Sequence, residues 1–154
     1  MNILALDPAT KTGYAARVNG AVVSGVWNLK PKMLDSHGVR FLNLIAALDD
    51  LAGKHKLDLV AIEQPGHLKS AAARHLIHGV VSHVQSWAER RKIDLVSYEP
   101  TVVKKRIAGK GNANKDDMRR AALERYVCVP FVEDDNQADA LMILAWFADQ
   151  LRIA

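Results

Sequence analysis

The chain contains only one cysteine, Cys128, among its 154 residues. A single thiol can form neither an internal disulfide nor a cysteine-rich zinc site, so both devices are excluded and Cys128 is expected to be a buried filler residue. No apolar run approaches the roughly 20 residues that a membrane helix requires. The N-terminus also lacks a signal-peptide pattern, because it leads directly into a strand-like segment. These absences predict a cytoplasmic protein without a membrane partner.

The composition that is present predicts one globular domain spanning residues 1–154. Hydrophobic residues make up 49% of the chain and charged residues 25%, which is enough apolar material for one substantial core. The net charge of +4 is modest, but many of the cations fall in one short region. That region is either a phosphate-contacting surface or an ordinary solvated face, and charge alone leaves both open. Its members are Lys104, Lys105, Arg106, Lys110, Lys115, Arg119 and Arg120.

The hydrophobic pattern predicts an α/β fold. Short branched runs indicate a strand ending at Asp7 and further strands over 14–18 and 21–28, with Asn19-Gly20 as the tight turn between the last two. Later segments alternate between helical and strand periods. They predict helices over 34–55, 68–91, 101–107, 115–126 and 136–151, and strands over 57–63 and 94–98. The expected sheet is therefore five-stranded and mixed, with three antiparallel strands followed by parallel βαβ units, and is flanked by helices.

Three acidic residues occupy positions that suggest a metal site. Asp7 and Glu63 each close a short apolar run, and Asp139 stands near the start of an apolar helix. Carboxylates at the C-terminal ends of neighbouring strands can converge at one sheet edge. Hard divalent cations such as Mg²⁺ take such oxygen ligands and keep positions for water and substrate phosphate. The pattern therefore favours phosphodiester hydrolysis.

Four motifs, in this order and spacing, resemble the RuvC-type Holliday junction resolvases over nearly the whole chain. They are ALDPATKTGY at 5–14, AIEQ at 61–64, PTVVKK at 100–105 continuing to GKGNANK at 109–115, and NQADAL at 136–141. The resemblance implies an RNase H-like fold and a homodimer. It also implies Mg²⁺-dependent cleavage, with Mn²⁺ as a substitute, of two symmetric strands in a four-way DNA junction. A bacterial cytoplasm is implied, or the host cytoplasm if the chain is a bacteriophage member.

The resemblance also assigns roles to particular residues. Asp7, Glu63 and Asp139 match the metal-binding acids of the family, which would hold two ions. Lys104 and Lys115 match lysines near the catalytic centre and the scissile DNA. Phosphate contact then becomes the favoured interpretation of the basic region. The predicted DNA-binding residues are Lys105, Arg106, Lys110, Arg119, His67, Thr10 and Thr12.

Two positions depart from the family pattern. Asn136 stands where the family usually has an additional aspartate, so we expect Asn136 to be a weaker metal ligand or Asp135 to substitute for it. Alternatively, the acids there only cap the last helix. After Glu63-Gln64, some relatives carry an aromatic residue thought to stack at the opened bases, whereas this chain has Pro65-Gly66-His67-Leu68. His67 or Leu68 could act as the wedge instead.

Other functions fit the sequence less well. His75, His78 and His83 do not share one helix face, which favours surface histidines over a zinc site. The Asp7–Gly13 segment resembles the phosphate-binding hairpin of actin- and sugar-kinase-like ATPases, but such enzymes need two lobes and this chain has one. A broader branched-DNA or RNA–DNA hybrid nuclease would use the same acids. A junction-binding protein that does not cleave would not need them.

Overall fold

The computed structural model describes residues 1–66, 70–107, 114–125, 132 and 134–151. Within these residues, five strands and five helices follow one another in the predicted order. The elements are β1 (Ile3–Asp7), β2 (Lys11–Val18), β3 (Ala21–Asn28), α1 (Val39–Lys54), β4 (Leu59–Glu63), α2 (Ala71–Arg91), β5 (Asp94–Tyr98), α3 (Pro100–Ile107), α4 (Lys115–Arg125) and α5 (Asp135–Gln150). Within the described part of the chain, no helix is both long enough and apolar enough to cross a bilayer.

The sheet has the strand order β3-β2-β1-β4-β5 and is mixed as predicted. The first three strands form an antiparallel meander, while β4 pairs in parallel with β1 and with β5. The β2–β3 hairpin turns at Asn19 and Gly20, whose φ angles of 52° and 84° are both positive. Asn-Gly tolerates this geometry, which matches the twist of the flanking strands.

The helices cover both faces of the sheet, and alternate strand residues feed two separate cores. One face is covered by α5 and receives Ile3 and Ala5 of β1. The other is covered by α1 and α2 and receives Leu4 and Leu6 of the same strand. The first core is built around small strand residues, so α5 can lie close to the sheet. This close approach determines where the side chains of α5 meet the strand ends.

Some element boundaries differ from the predictions. Helix α1 begins at Val39 rather than at residue 34, because Lys32 and Asp35 close a turn through two mutual hydrogen bonds. Strand β2 begins three residues earlier than predicted, at Lys11, because it pairs with the end of β3. The predicted start of α2 at residue 68 lies outside the described residues. Its described start is at Ala71, where Ser70 accepts a hydrogen bond from the Ala73 amide.

Candidate active site

Asp7 and Glu63 lie at the same end of neighbouring parallel strands. Leu6 of β1 is in register with Ile62 of β4, so each acid is the next residue along its strand. Side chains alternate along a strand, which places both acids on the face that is covered by α5. Both are partly exposed, whereas the four preceding residues of each strand are buried. The strands therefore present two carboxylates at one rim of the sheet.

The start of α5 can lie against this rim because residue 13 is a glycine. A Cβ atom at Gly13 would overlap the backbone carbonyl of Asn136, so only glycine allows the helix to approach this closely. Gly13 is also the register partner of Asp7 in the β1–β2 pair. Asp139 lies one helical turn beyond Asn136, and the flanking residues Ala138 and Ala140 are buried. The first turns of α5 thus bring a third carboxylate to the ends of β1 and β4.

Tyr98 lies near all three acids. It is in register with Glu63 across β4 and β5 and is 5% exposed. Burial raises the pKa of the Tyr98 phenol well above its usual value, and the negative charges of Glu63, Asp7 and Asp139 raise it further. A single ring therefore lies within electrostatic reach of carboxylates that three separate elements contribute. Sequence reasoning missed this residue; its only signal was its position at the end of a strand next to Glu63.

The chemistry of the three acids suits a hard divalent cation. Carboxylate oxygens are the usual protein ligands of Mg²⁺. Among the described residues, however, no three His, Cys, Asp or Glu side chains stand close enough to hold one ion in their present positions. The three carboxylates thus lie at one end of the sheet without forming a closed coordination shell, and side-chain rotation would be needed to bring their oxygens onto a shared ion.

Asp134 and Asn136 form a small hydrogen-bonded unit at the start of α5. One oxygen of Asp134, the N-cap residue, accepts hydrogen bonds from the Asn136 backbone amide at 2.9 Å and from its side-chain Nδ2 at 2.8 Å. The reversed amide would bring two acceptor oxygens together, so this contact fixes the Asn136 carbonyl oxygen pointing away from Asp134. Asp135 lies in the first turn, where its charge suits the helix dipole.

The β1–β2 turn separates the roles of its two threonines. Thr10 is exposed, which is compatible with its predicted DNA contact. Thr12 is fully buried, and its hydroxyl donates a hydrogen bond of 2.8 Å to the carbonyl of Ala9. The prediction that Thr12 contacts DNA is therefore wrong for its side chain, because the buried hydroxyl is used to brace the turn. Its effect on the site is to hold the turn that follows Asp7.

The described part of the basic region belongs to two helices, α3 and α4. Helix α3 starts two residues after Tyr98, with Val103 buried and Lys105 exposed. Helix α4 packs along α5, and its Arg125 pairs with Asp149 near the end of α5. Because that ion pair fixes the C-terminal end of α4, its N-terminal end at Lys115 lies toward the end of α5 that carries Asp139.

Several predicted positions fall outside this description. His67, Lys110 and Cys128 lie outside the described residues. For Lys104, Arg106, Lys115 and Arg119, only the backbone placement on α3 or α4 is described. Their predicted DNA contacts therefore stay predictions.

The remaining histidines and aromatic residues serve the surface and the core. His75, His78 and His83 are exposed on α2, as predicted. The ring of His83 stacks on Phe41 of α1, with centroids 4.4 Å apart. Trp87 is buried and donates a hydrogen bond to Asp49. Three other aromatic residues are partly buried, with Tyr14 stacked on Trp27 and Trp146 packed against Tyr98 and Phe147.

Comparison with known proteins identifies the family. The model of the family "Crossover junction endodeoxyribonuclease RuvC" matches residues 3–145. The chain belongs to the RuvC family. The RuvC proteins of Synechococcus sp. (strain RCC307) and Rickettsia conorii are 27% and 24% identical to it. The alignments cover 96% and 93% of this chain and 99% and 94% of the relatives. Membership makes the chain a metal-dependent endodeoxyribonuclease by class.

Solved RuvC structures share the fold. The Thermus thermophilus RuvC in complex with Holliday junction substrate superposes with a TM-score of 0.78 at 20% identity, covering 97% of this chain and 96% of that one. The yeast mitochondrial Holliday junction resolvase Ydc2 gives a TM-score of 0.62 at 16% identity, covering 97% of this chain and 80% of that one. The RNase H-like fold predicted for this RuvC chain is thereby confirmed.

Proposed function

We propose that this RuvC protein resolves four-way DNA junctions as a homodimer by hydrolysing two symmetric strands. The observation that carries the proposal is the convergence of Asp7, Glu63 and Asp139 around Tyr98, at a sheet edge flanked by the basic helices α3 and α4. The structure of Thermus thermophilus RuvC in complex with Holliday junction substrate supports the choice of DNA.

In this proposal the three acids hold Mg²⁺, with Mn²⁺ as a substitute and two ions per site. When bound, such ions supply a nucleophilic hydroxide and stabilise the charge on the attacking and leaving oxygens. The chain contributes the frame that holds the acids. Adjacent parallel strands set the spacing of Asp7 and Glu63, and the contact at Gly13 brings Asp139 to the same rim.

The basic helices are proposed to hold the phosphate backbone next to the acids. Lys104 and Lys115 would neutralise charge at the scissile phosphate, while Lys105, Arg106, Lys110 and Arg119 would contact flanking phosphates. Lysine interacts mainly as a point charge, so these contacts position DNA without reading its sequence. Thr10, at the exposed turn after Asp7, is also proposed to contact DNA, as is His67, which follows β4 in the sequence.

Asn136 is proposed as a weak additional ligand. Its carbonyl oxygen is directed away from Asp134 by the amide contact described above. A neutral oxygen contributes less to cation binding than a carboxylate, so the site would bind metal more weakly than one with a fourth acid. Asp135 is the alternative fourth ligand, and in that case Asn136 would serve mainly as part of the helix cap.

Paired cleavage of opposed strands requires two active sites, because one chain supplies a single acid cluster in its described part. A homodimer meets this requirement. Helix α2 is the element that we expect at the dimer interface. Its exposed residues include Ala72, His78 and Ser82.

The test is cleavage of end-labelled substrates in Mg²⁺ or Mn²⁺. A four-way junction, linear duplex, flap and RNA–DNA hybrid of matched sequence are compared, with Asp7→Asn as the control. We expect paired symmetric nicks in the junction that the control does not make. Preferential cutting of the flap or hybrid would replace the proposed substrate, and tight junction binding without any cutting would indicate a binding protein.

A further inference from the structure

The turn between β3 and α1 holds two large apolar side chains in water. Met33 is 97% exposed and Leu34 is 94% exposed, more than any other large hydrophobic residue in the described part of the chain. They occupy the two central positions of a turn closed by Lys32 and Asp35. The Asp35 amide donates to the Lys32 carbonyl, and the Lys32 amide donates to the Asp35 carboxylate, both at 3.0 Å. The turn is therefore built to project its tip.

One end of this turn is anchored to a separate segment of the fold, and the other leads through a local hydrogen bond into α1. On one side, Leu29 is buried and its amide donates to the carbonyl of Thr10 at 2.9 Å. On the other side, the Val39 amide at the start of α1 donates to the carbonyl of Ser36. Anchoring of this kind reduces the conformational entropy that a ligand would have to freeze on binding.

The turn lies at the same edge of the sheet as the acids. Strand β3 runs in the same direction as β1, because each is antiparallel to β2. The ends of β1 and β3 therefore face the same way, and the turn rises beside the exposed residues Thr10 and Lys11. It stands on the β3 side of Asp7, whereas α3 and α4 follow β5 on the other side. DNA lying across the acids would meet both groups.

The residues that flank the tip carry positive charge. Lys30 and Lys32 are both exposed, and Lys11 at the adjoining start of β2 is 60% exposed although it pairs with Asp134 at 3.8 Å. Cations next to an apolar tip match DNA, whose phosphates attract lysine and whose base faces accept apolar side chains wherever stacking is interrupted. An apolar protein partner would not need the cations. Methionine and leucine are also among the residues that proteins insert between base steps.

We propose that the Lys30–Asp35 turn is a second DNA-contacting element, in which Met33 and Leu34 pack against unstacked bases at the crossover of a junction while Lys30 and Lys32 hold the adjoining phosphates. The proposal rests on the proposed function, because it takes branched DNA as the substrate. It adds a DNA-contacting element outside the four sequence motifs, on the β3 side of the acids.

The apolar tip is tested with the double variant Met33→Ser/Leu34→Ser. Binding to a four-way junction and to a linear duplex of matched sequence is measured by fluorescence anisotropy in Ca²⁺, together with the emission of 2-aminopurine placed at the crossover. We expect junction affinity to fall by roughly tenfold and duplex affinity to stay within about twofold. Most of the increase in 2-aminopurine emission that wild-type protein causes on binding should be lost. Leu151→Ser, an exposed leucine after the far end of α5, is the matched control and should behave as wild type.

The cations are tested separately with Lys30→Gln/Lys32→Gln. If both lysines contact phosphates, the slope of log affinity against log salt concentration should fall by about 2, equally for junction and duplex. Lys56→Gln, an exposed lysine in the loop before β4, is the control and should leave the slope unchanged.

The outcomes separate this proposal from the proposed function. Junction binding and 2-aminopurine emission that do not change in the tip variant, while the wild-type protein cleaves junctions, would refute the DNA contact of Met33 and Leu34. The proposed resolvase function would still stand. If light scattering shows that the tip variant no longer dimerises, while each remaining dimer binds DNA normally, the tip is a contact between subunits. That result would also refute the DNA contact. A wild-type protein that neither binds nor cuts junctions would refute both proposals.

Discussion

The two ends of β4 use acidic residues in opposite ways. Asp58, just before the strand, accepts a hydrogen bond of 2.8 Å from the amide of Asn2, and so ties the N-terminus to the start of β4. Glu63, at the other end, joins Asp7 and Asp139 in acting on Tyr98. The difference teaches that an acid at the start of a strand can serve the fold alone. The proposed catalytic acids lie only at the other end of the sheet, where strands from separate motifs come together.

The largest effect is expected from a comparison of two of the three aspartates of α5, Asp139 and Asp149. Asp139→Asn at the catalytic end should reduce junction cleavage by about 10³-fold, because metal-assisted charge stabilisation supplies several kcal/mol. Asp149→Asn at the far end removes the ion pair with Arg125 and should cost less than about 1 kcal/mol of folding stability. Single-turnover cleavage and thermal unfolding measure the two effects, and equal losses of cleavage would refute the distinction between the ends.

A smaller loss is expected for Lys115→Ala. The lysine is proposed to neutralise charge at the scissile phosphate, so its removal should slow cleavage by about 10–100-fold at saturating DNA while thermal unfolding changes little. Lys92→Ala, at the C-terminal end of α2 on the opposite end of the molecule, is the control. Unchanged cleavage at saturating junction concentration would refute the role of Lys115.

Asn136→Asp should sharpen the contrast by adding charge at the catalytic end. We expect roughly tenfold tighter Mn²⁺ binding by calorimetry, because a carboxylate replaces a neutral oxygen. Without metal, the variant should lose about 1–3 kcal/mol of stability, because Asp134 keeps the backbone donor but loses the side-chain donor and faces another acid. Asn114→Asp, the same change before α4, is the control. Weaker metal binding than wild type would exclude the ligand role.

Gly13→Ala tests whether the contact of α5 with the sheet sets the site. The added Cβ would overlap the Asn136 carbonyl, so we expect a loss of about 1–3 kcal/mol in unfolding free energy and slower cleavage. Gly53→Ala in α1 is the matched control, because its Cβ meets nothing within 4 Å and alanine is the better helix former. That variant should be slightly stabilised, and equal behaviour of both variants would contradict the packing argument.

The smallest effect is expected at Asp49, which links α1 to α2 away from the acids. A hydrogen bond from Trp87 lowers the pKa of the Asp49 carboxyl below its usual 3.8, partial burial opposes this, and Arg91 adds to the lowering. A lowered folded-state pKa stabilises the fold above the unfolded value, and the gain is lost as the pH falls through the folded value. Asp49→Asn should therefore cost less than about 1 kcal/mol at pH 7 and nothing at strongly acidic pH. Urea unfolding across pH tests this, and a constant difference would refute it.

The sequence predicted the sheet and two of the three acids' positions well, because strand ends and hairpin turns are local patterns. Asp7 and Glu63 close apolar runs whose pairing follows from the βαβ order. The start of α1 was less predictable, because Leu34 continues the helical period although the hydrogen bonds between Lys32 and Asp35 favour a turn.

Contacts between distant segments could not be predicted from local patterns. The Gly13–Asn136 approach joins residues more than a hundred positions apart, and a glycine in a small-residue turn gives no sign of what lies against it. The position of Tyr98 among the acids is of the same kind, because Glu63 and Asp7 belong to other strands and Asp139 belongs to α5.

The dependence on α5 has a consequence for the newly made chain. Asp7 belongs to β1, but its partner Asp139 belongs to α5, more than a hundred positions later in the chain, and the glycine contact forms only when α5 docks. Contacts of such long sequence separation form late and slowly during folding. A ribosome-bound or half-folded chain would therefore carry two of the acids without the third. The onset of cutting would then coincide with completion of the domain, so that DNA is exposed only to the finished enzyme.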